Sequence, residues 1–184
     1  MPKVSDSHRA DRRRQILDGA RRAFARHGYE GATVARLEQE VGLSRGAIFN
    51  YFPNKWSIFY GLALEDYDRV GRLWLDEEYG SVLRHMASED PDWIGVYLEL
   101  IRKIGTQPEL REQWVQRNPD LNDELMERVA ELQRRGELRD DLEPGELLAF
   151  LGLILDGIAV RMSAGFPVET EPLLKLVSSA IAPQ

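Results

Sequence analysis

Val41-Gly42-Leu43-Ser44-Arg45-Gly46-Ala47-Ile48-Phe49-Asn50-Tyr51-Phe52-Pro53-Asn54-Lys55 is the stretch whose reading decides the fold. Gly42 closes a short helix that Thr33 caps and that runs Val34 to Val41, with Val34, Leu37 and Val41 on one stripe. Ser44 caps the next helix, Arg45 to Tyr51 or Phe52, and Pro53-Asn54 ends it. Two short helices joined across a turn of three residues, Gly42 to Ser44, make a helix-turn-helix.

On the second of these helices, successive residues step by about 100°. Arg45, Gly46, Phe49 and Asn50 therefore gather on one side, and Ala47, Ile48 and Phe52 on the other. The second group docks on Leu37 and Val41, which leaves Arg45 and Asn50 facing outward. Their side chains suit guanine and adenine edges in a major groove. Gly46 sacrifices about 1 kcal/mol of helix propensity and lets backbone approach a surface closely. The helix starts at Thr33 and Ser44 aim free N–H groups at phosphates, beside Tyr51 and Lys55. The plainer alternative makes Phe49 and Tyr51 core aromatics and Lys55 a solvated first-turn residue.

Outward from this centre the pattern stays helical. Ile16, Leu17, Ala20, Ala23 and Phe24 recur at helical spacing between Arg9 and His27, with Gly28 as the stop. A long helix starts near Asn54 or Lys55 and runs to about Leu75. Further helices are expected near Ser81 to Ala87, Trp93 to Thr106, Glu109 to Arg117, Leu121 to Arg135, Gly145 to Met162 and Glu171 to Ile181. Stops are read at Gly80, Pro91, Pro108, Pro119, Gly136, Pro144, Gly165 and Pro172. No stretch alternates as a strand and no repeat is visible, so the fold class is all-α. The helix Gly145 to Met162 is apolar nearly all round and needs cover on more than one face. A two-fold partner in a homodimer supplies that cover, unless the chain wraps the helix itself.

Charge divides the 184 residues unevenly. Residues 1–60 carry 11 Lys+Arg against 6 Asp+Glu, a net of +5, whereas the remainder carries 13 against 25, a net of −12. A polyanion partner for one end fits this split; the alternative is that Arg12, Arg13, Arg14, Arg21, Arg22 and Arg26 only solvate a helix. The absence of cysteine excludes disulfides, thiolate metal sites and cysteine nucleophiles. The beginning MPKVSDSHRADRRR has no apolar signal core, and the run Leu147 to Val160, broken by Asp156, is shorter than the roughly 20 residues of a membrane span. A soluble cytoplasmic protein without a membrane partner is expected. His8, His27 and His85 are scattered, and no HExxH, GxSxG, P-loop or GxGxxG motif occurs, so an enzyme is not expected.

The segment Gly28 to Val34 followed by Val41 to Lys55 closely resembles the DNA-binding domain of TetR-family transcriptional regulators, and the likeness runs from about Arg12 to Leu64. The resemblance implies a three-helix reading domain over 1–54 and a helical ligand-binding and dimerisation domain over 55–184. It also implies a homodimeric repressor on a near-palindromic double-stranded DNA operator, released by a small-molecule effector and requiring no cofactor. By likeness Thr33, Tyr51 and Lys55 hold phosphates, Ser44 starts the reading helix, and Arg45, Gly46, Phe49 and Asn50 face the groove. Asn50 departs from the aromatic or histidine common there, so the operator sequence does not transfer. Tyr97 to Arg102, Trp114, Arg128 and Leu155-Asp156-Gly157 are more weakly similar to the actinobacterial aconitase repressor branch, which implies citrate with magnesium as effector.

Glu99, Arg102, Trp114, Arg128 and Asp156 are the candidate effector residues. The four ionisable ones sit on largely apolar helices, where each needs a partner, a ligand or water. In one arrangement the arginines bind carboxylates and an acid holds a divalent cation; in the other, slightly favoured, all four form ion pairs within the chain. Trp93, Trp114 and Met126 are either pocket lining or ordinary core. A helical protein–protein interaction module without specific DNA binding is the competing function.

Overall fold

A computed structural model describes residues 6–184, and among them every regular element is a helix. The order is α1 (Asp6–Gly31), α2 (Val34–Val41), α3 (Arg45–Phe49), α4 (Lys55–Asp76) and α5 (Tyr79–Ser88). Then follow α6 (Pro91–Thr106), α7 (Pro108–Val115), α8 (Pro119–Arg134), α9 (Pro144–Ser163) and α10 (Thr170–Ile181). The all-α expectation holds.

The caps read from sequence are made. Thr33 and Ser44 side chains accept from the backbone N–H of Arg36 and Ala47, each at 3.4 Å, and Gly42 sits at φ 73°. Asn54 and Ser57 form a reciprocal capping box at the start of α4. Three expectations need correction. The first helix extends past Gly28 to Gly31 through a kink, Gly28 taking φ 65° and ψ 172°. α3 ends at Phe49 rather than Tyr51 or Phe52, because the chain tightens there into a turn in which the Tyr51 N–H donates to the Ile48 carbonyl three residues back, just ahead of Pro53, which cannot continue a helix. Pro91, Pro108, Pro119 and Pro144 open helices instead of ending the preceding ones, since proline lacks only an N–H that the first turn leaves free. Gly80 and Pro172 likewise lie inside α5 and α10.

Side chains collect in two apolar cores. Ile16, Leu17, Phe24, Leu37, Ile48, Phe52, Ile58, Phe59 and Leu62 fill the first, and Trp93, Val96 and Leu100 of α6 close it. Trp74, Leu83, Leu121, Leu125, Leu147, Leu151, Ile158 and Val177 fill the second. α4 serves both, so one rigid helix ties the head to the body. α1 crosses α2 at buried Gly19, where a Cβ would stand 2.6 Å from the Val41 Cα and 2.9 Å from the Glu40 carbonyl oxygen. Backbone cannot yield there, so Gly19→Ala is expected to cost about 1 to 3 kcal/mol of stability. Chemical denaturation checks this, and an unchanged midpoint contradicts it.

α9 is not wrapped by its own chain. Leu147, Leu151, Ile158 and Met162 are buried, while Leu153 and Val160 stay 69% and 53% exposed, and Leu176 of α10 is 71% exposed.

Candidate functional site

In the head, α3 lies with Ile48 and the following Phe52 buried and Ala47 half-buried, while Ser44, Arg45, Gly46 and Asn50 are exposed and Phe49 is half-buried. Nothing lies within 4 Å of a Cβ built on Gly46. The backbone N–H of Arg45 donates to Glu38 Oε1 at 2.6 Å, pinning the start of α3 to α2 and leaving the Arg45 guanidinium 5.9 Å from the Phe49 ring centroid. Val34, Arg45, Gly46, Phe49, Pro53, Asn54 and Lys55 line a shallow groove beside it. Thr33 is exposed, and Tyr51 packs half-buried on the head core. The Lys55 ammonium donates to the carbonyls of Tyr29 at 2.7 Å and Glu30 at 3.4 Å and lies 4.4 Å from the Tyr29 ring centroid. Burial holds its pKa below the usual lysine value, a shift that Glu30 opposes.

Much of the basic first helix is spent on the fold. Arg22 donates to the Glu40 carbonyl at 2.6 Å, Arg26 pairs with the Glu40 carboxylate at 2.5 Å, and Arg13 stacks 4.5 Å from the Phe52 ring centroid. These three clamp α1 to its neighbours, while Arg22 and Arg26 stay more than half exposed.

The body encloses a cavity of about 550 Å³ among α4 to α9. Its wall is largely aromatic and aliphatic and includes Trp74, Trp93, Tyr97, Trp114, Met126 and Leu148. Of the candidate effector residues, Trp114 and Asp156 line it. Glu99, Arg102 and Arg128 do not. Glu99 accepts from the Tyr29 backbone N–H at 3.0 Å, at the α1 kink; Arg102 is exposed on α6; Arg128 pairs with Glu131 at 3.7 Å along α8. The physical reason is helical phase: α6 turns Trp93, Tyr97 and Ile101 into the cavity, four residues apart, so Glu99 falls on the opposite side.

Sequence reasoning missed Asp66, Arg69 and Arg117, all on the cavity wall. Burial raises the Asp156 carboxyl, and the Arg117 charge partly opposes this. Burial, with the Asp156 charge second, pushes the Tyr97 hydroxyl up to about 12. Among the described residues no group of three or more His, Asp or Glu side chains is arranged to hold a metal ion, and no helix is long and apolar enough to cross a membrane.

Residues 16–60, which span the core of the head, match the family of bacterial regulatory proteins called tetR. Over the whole chain, 41% of residues are identical to the HTH-type transcriptional repressor Rv1474c of Mycobacterium tuberculosis, covering 98% of both proteins. The chain belongs to the TetR family. A second relative, the HTH-type transcriptional repressor AcnR of Corynebacterium diphtheriae, is 39% identical and covers 98% of this chain and 97% of its own. The fold is shared with Salmonella enterica GusR at a TM-score of 0.74 and 18% identity, over 97% and 98% of the two chains. A TetR-family chain is a DNA-binding transcriptional regulator and not an enzyme, and the likeness to the actinobacterial branch is borne out by these relatives.

In this TetR-family chain one carboxylate joins head and cavity. Asp66 of α4 accepts from Arg21 of α1 at 2.5 and 3.1 Å, from Arg69 at 2.9 Å, and from the indole N–H of Trp93 on α6 at 2.7 Å. The Arg21 guanidinium also stacks 4.2 Å from the Trp93 ring centroid. Arg69 continues the chain of contacts to Glu89 at 2.8 Å and His85 at 2.6 Å. Asp66, Arg69 and Trp93 all face the cavity, so what fills it touches the groups that hold α1.

Proposed function

We propose that the chain is a cytoplasmic homodimeric repressor that grips a near-palindromic operator and is released when a small organic acid fills the body cavity. Residues 1–54 would form the reading domain and 55–184 the ligand and dimer domain, with the first turns of α4 packed into the head core. The observation that carries this reading is the two-sidedness of α3, apolar where it meets α2 and polar, open and glycine-relieved where it meets solvent. Arg45 and Asn50 read base edges, Gly46 lets the helix approach, and Phe49 packs alongside. Thr33, Ser44 and Tyr51 fix the sugar–phosphate backbone. Lys55 has three N–H donors and gives two to carbonyls of α1, which leaves one for a phosphate.

The bare strip of Leu153, Val160 and Leu176 supports pairing of α9 and α10 with the same helices of a second copy. Two heads then meet half-sites about one helical turn, or a multiple, apart. An effector that weakens operator binding about 100-fold must prefer the DNA-free state by the same factor. Citrate with magnesium is the candidate that family likeness supplies. The cavity offers its carboxylates Arg117 in place of Arg102 and Arg128, with Asp156 on the same wall, and the cation would have to arrive chelated by citrate itself.

Gel shifts on the DNA upstream of its own gene test the proposal, with specific, salt-sensitive binding expected and none at any promoter contradicting it. Arg45→Ala is expected to cost roughly 1 to 3 kcal/mol and relax one base position, whereas Lys55→Ala weakens all sequences alike. Equal base preference in wild type and Arg45→Ala removes the base-reading role of Arg45.

A further inference from the structure

Most of the polar side chains that face the cavity have partners within the chain, and Arg117 and Asp156 stand apart. Asp66 is saturated by Arg21, Arg69 and Trp93, and Glu89 by Arg69 and His85. Tyr67 donates its hydroxyl to Asn122, and Tyr79 donates to the Leu151 carbonyl at 2.8 Å. Arg117 is different. Its guanidinium lies 3.6 Å from the Tyr67 ring centroid and 4.6 Å from that of Trp114, and one terminal nitrogen donates to the Trp114 carbonyl at 2.6 Å. Its Nε is sealed off with no hydrogen-bond partner, and its second terminal nitrogen is not sealed and makes no hydrogen bond among the described residues. No carboxylate among them lies within ion-pair distance, Asp156 acting on it only through its charge.

A buried donor left without an acceptor is costly, and a guanidinium more so, because its charge has also lost water. Planar rings on its faces stabilise the cation, and of its edge the second terminal nitrogen is left for an in-plane acceptor. A carboxylate or similar anion meets that edge with charge-assisted hydrogen bonds. Apart from the ion-paired Asp66, Arg69 and Glu89 and the carboxyl of Asp156, the wall is largely aromatic and aliphatic, with Trp74, Val82, Ile94, Leu125 and Leu148 among its apolar members. A volume of about 550 Å³ falls within the roughly 300 to 1,000 Å³ of small-molecule pockets.

We infer that the effector is an organic monoanion with an apolar body, its anionic head held by Arg117 between Tyr67 and Trp114 and its body lying against the aromatic and aliphatic wall. This rests on the reading of the cavity as the effector site. Asp156 stands on the same wall and repels any second negative group brought near it. A tricarboxylate therefore meets one cation without an ion pair and a wall that also carries the carboxylates of Asp156, Asp66 and Glu89, whereas a monoanion meets the cation and buries its remainder. The body also reaches Trp93 and Asp66, the contacts that hold α1.

The test is isothermal calorimetry and thermal melting of the full chain with 4-phenylbutyrate, its neutral alcohol 4-phenylbutanol, and citrate with and without magnesium. The acid is expected to bind at least about 10-fold more tightly than the alcohol, as charge-assisted contacts require, and more tightly than either citrate form. Arg117→Gln is expected to remove that preference by weakening the acid while sparing the alcohol, and Arg117→Lys to keep part of it. Should Arg117→Gln show no cooperative melt, the wild-type comparison of acid with alcohol decides alone. Equal affinity for acid and alcohol, or tighter binding of citrate with magnesium, overturns the inference and leaves the cavity an effector site. Failure of every compound to bind overturns the cavity reading with it.

Discussion

Asp66→Ala is expected to unfold the protein about 6 to 12 °C earlier than wild type. The carboxylate is 13% exposed and receives three donor groups from three helices. Removing one partner of such a cluster leaves the others unpaired, which costs roughly 3 to 5 kcal/mol when the site is buried. Arg69 is 44% exposed and regains water, so the lower end, about 3 kcal/mol, is expected here. A chain of this size loses about 2 to 4 °C per kcal/mol. Asp66→Asn keeps one acceptor oxygen and should fall between the two. Because Arg21 would no longer bind α4 and would keep only its stack on Trp93 of α6, operator affinity should drop along with the melting point. Circular dichroism melts check the first effect and gel shifts the second; an unchanged melt would show that the cluster contributes nothing.

The double replacement Leu153→Glu with Leu176→Glu should leave a folded monomer whose operator affinity is lower by roughly 10² to 10⁴. Both side chains are exposed in the single chain, at 69% and 71%, so the substitutions cost the monomer little. In a dimer they bring like charges together on a surface that should be apolar. The affinity loss follows from geometry: two linked heads make the second half-site contact intramolecular, and a monomer forfeits that effective concentration. Sedimentation velocity reads the mass and gel shifts the affinity. A variant that stays dimeric, or a monomer that still binds at wild-type strength, would contradict the assigned interface.

What the sequence revealed, and what it hid, follows from how far each residue's partners lie along the chain. Caps and stops depend on neighbours within four residues, and Thr33, Gly42, Ser44 and Asn54 do what their chemistry indicates. The apolar stripe of α2 and the two faces of α3 are equally local. The prolines misled because the same residue ends one helix and starts the next, and only the backbone says which role it takes. Charged residues misled for a deeper reason. Glu99 and Asp156 both sit on apolar helices, yet one meets a backbone N–H 70 residues away and the other a cavity. Which of them faces the cavity depends on how α6 and α9 pack, and periodicity alone does not carry that phase. Arg117 escaped notice because it lies beyond the last turn of α7, outside any stripe, and its environment of Tyr67 and Trp114 forms only on folding.

Hydroxyl-radical footprinting on a duplex selected from a random pool tests most directly whether two copies present α3 to DNA. The account predicts two protected patches related by a two-fold axis, about one helical turn or a multiple apart, that weaken with salt and vanish in the Leu153→Glu, Leu176→Glu double variant. A single unbroken patch without two-fold symmetry, or protection that survives in the monomeric variant, would contradict it.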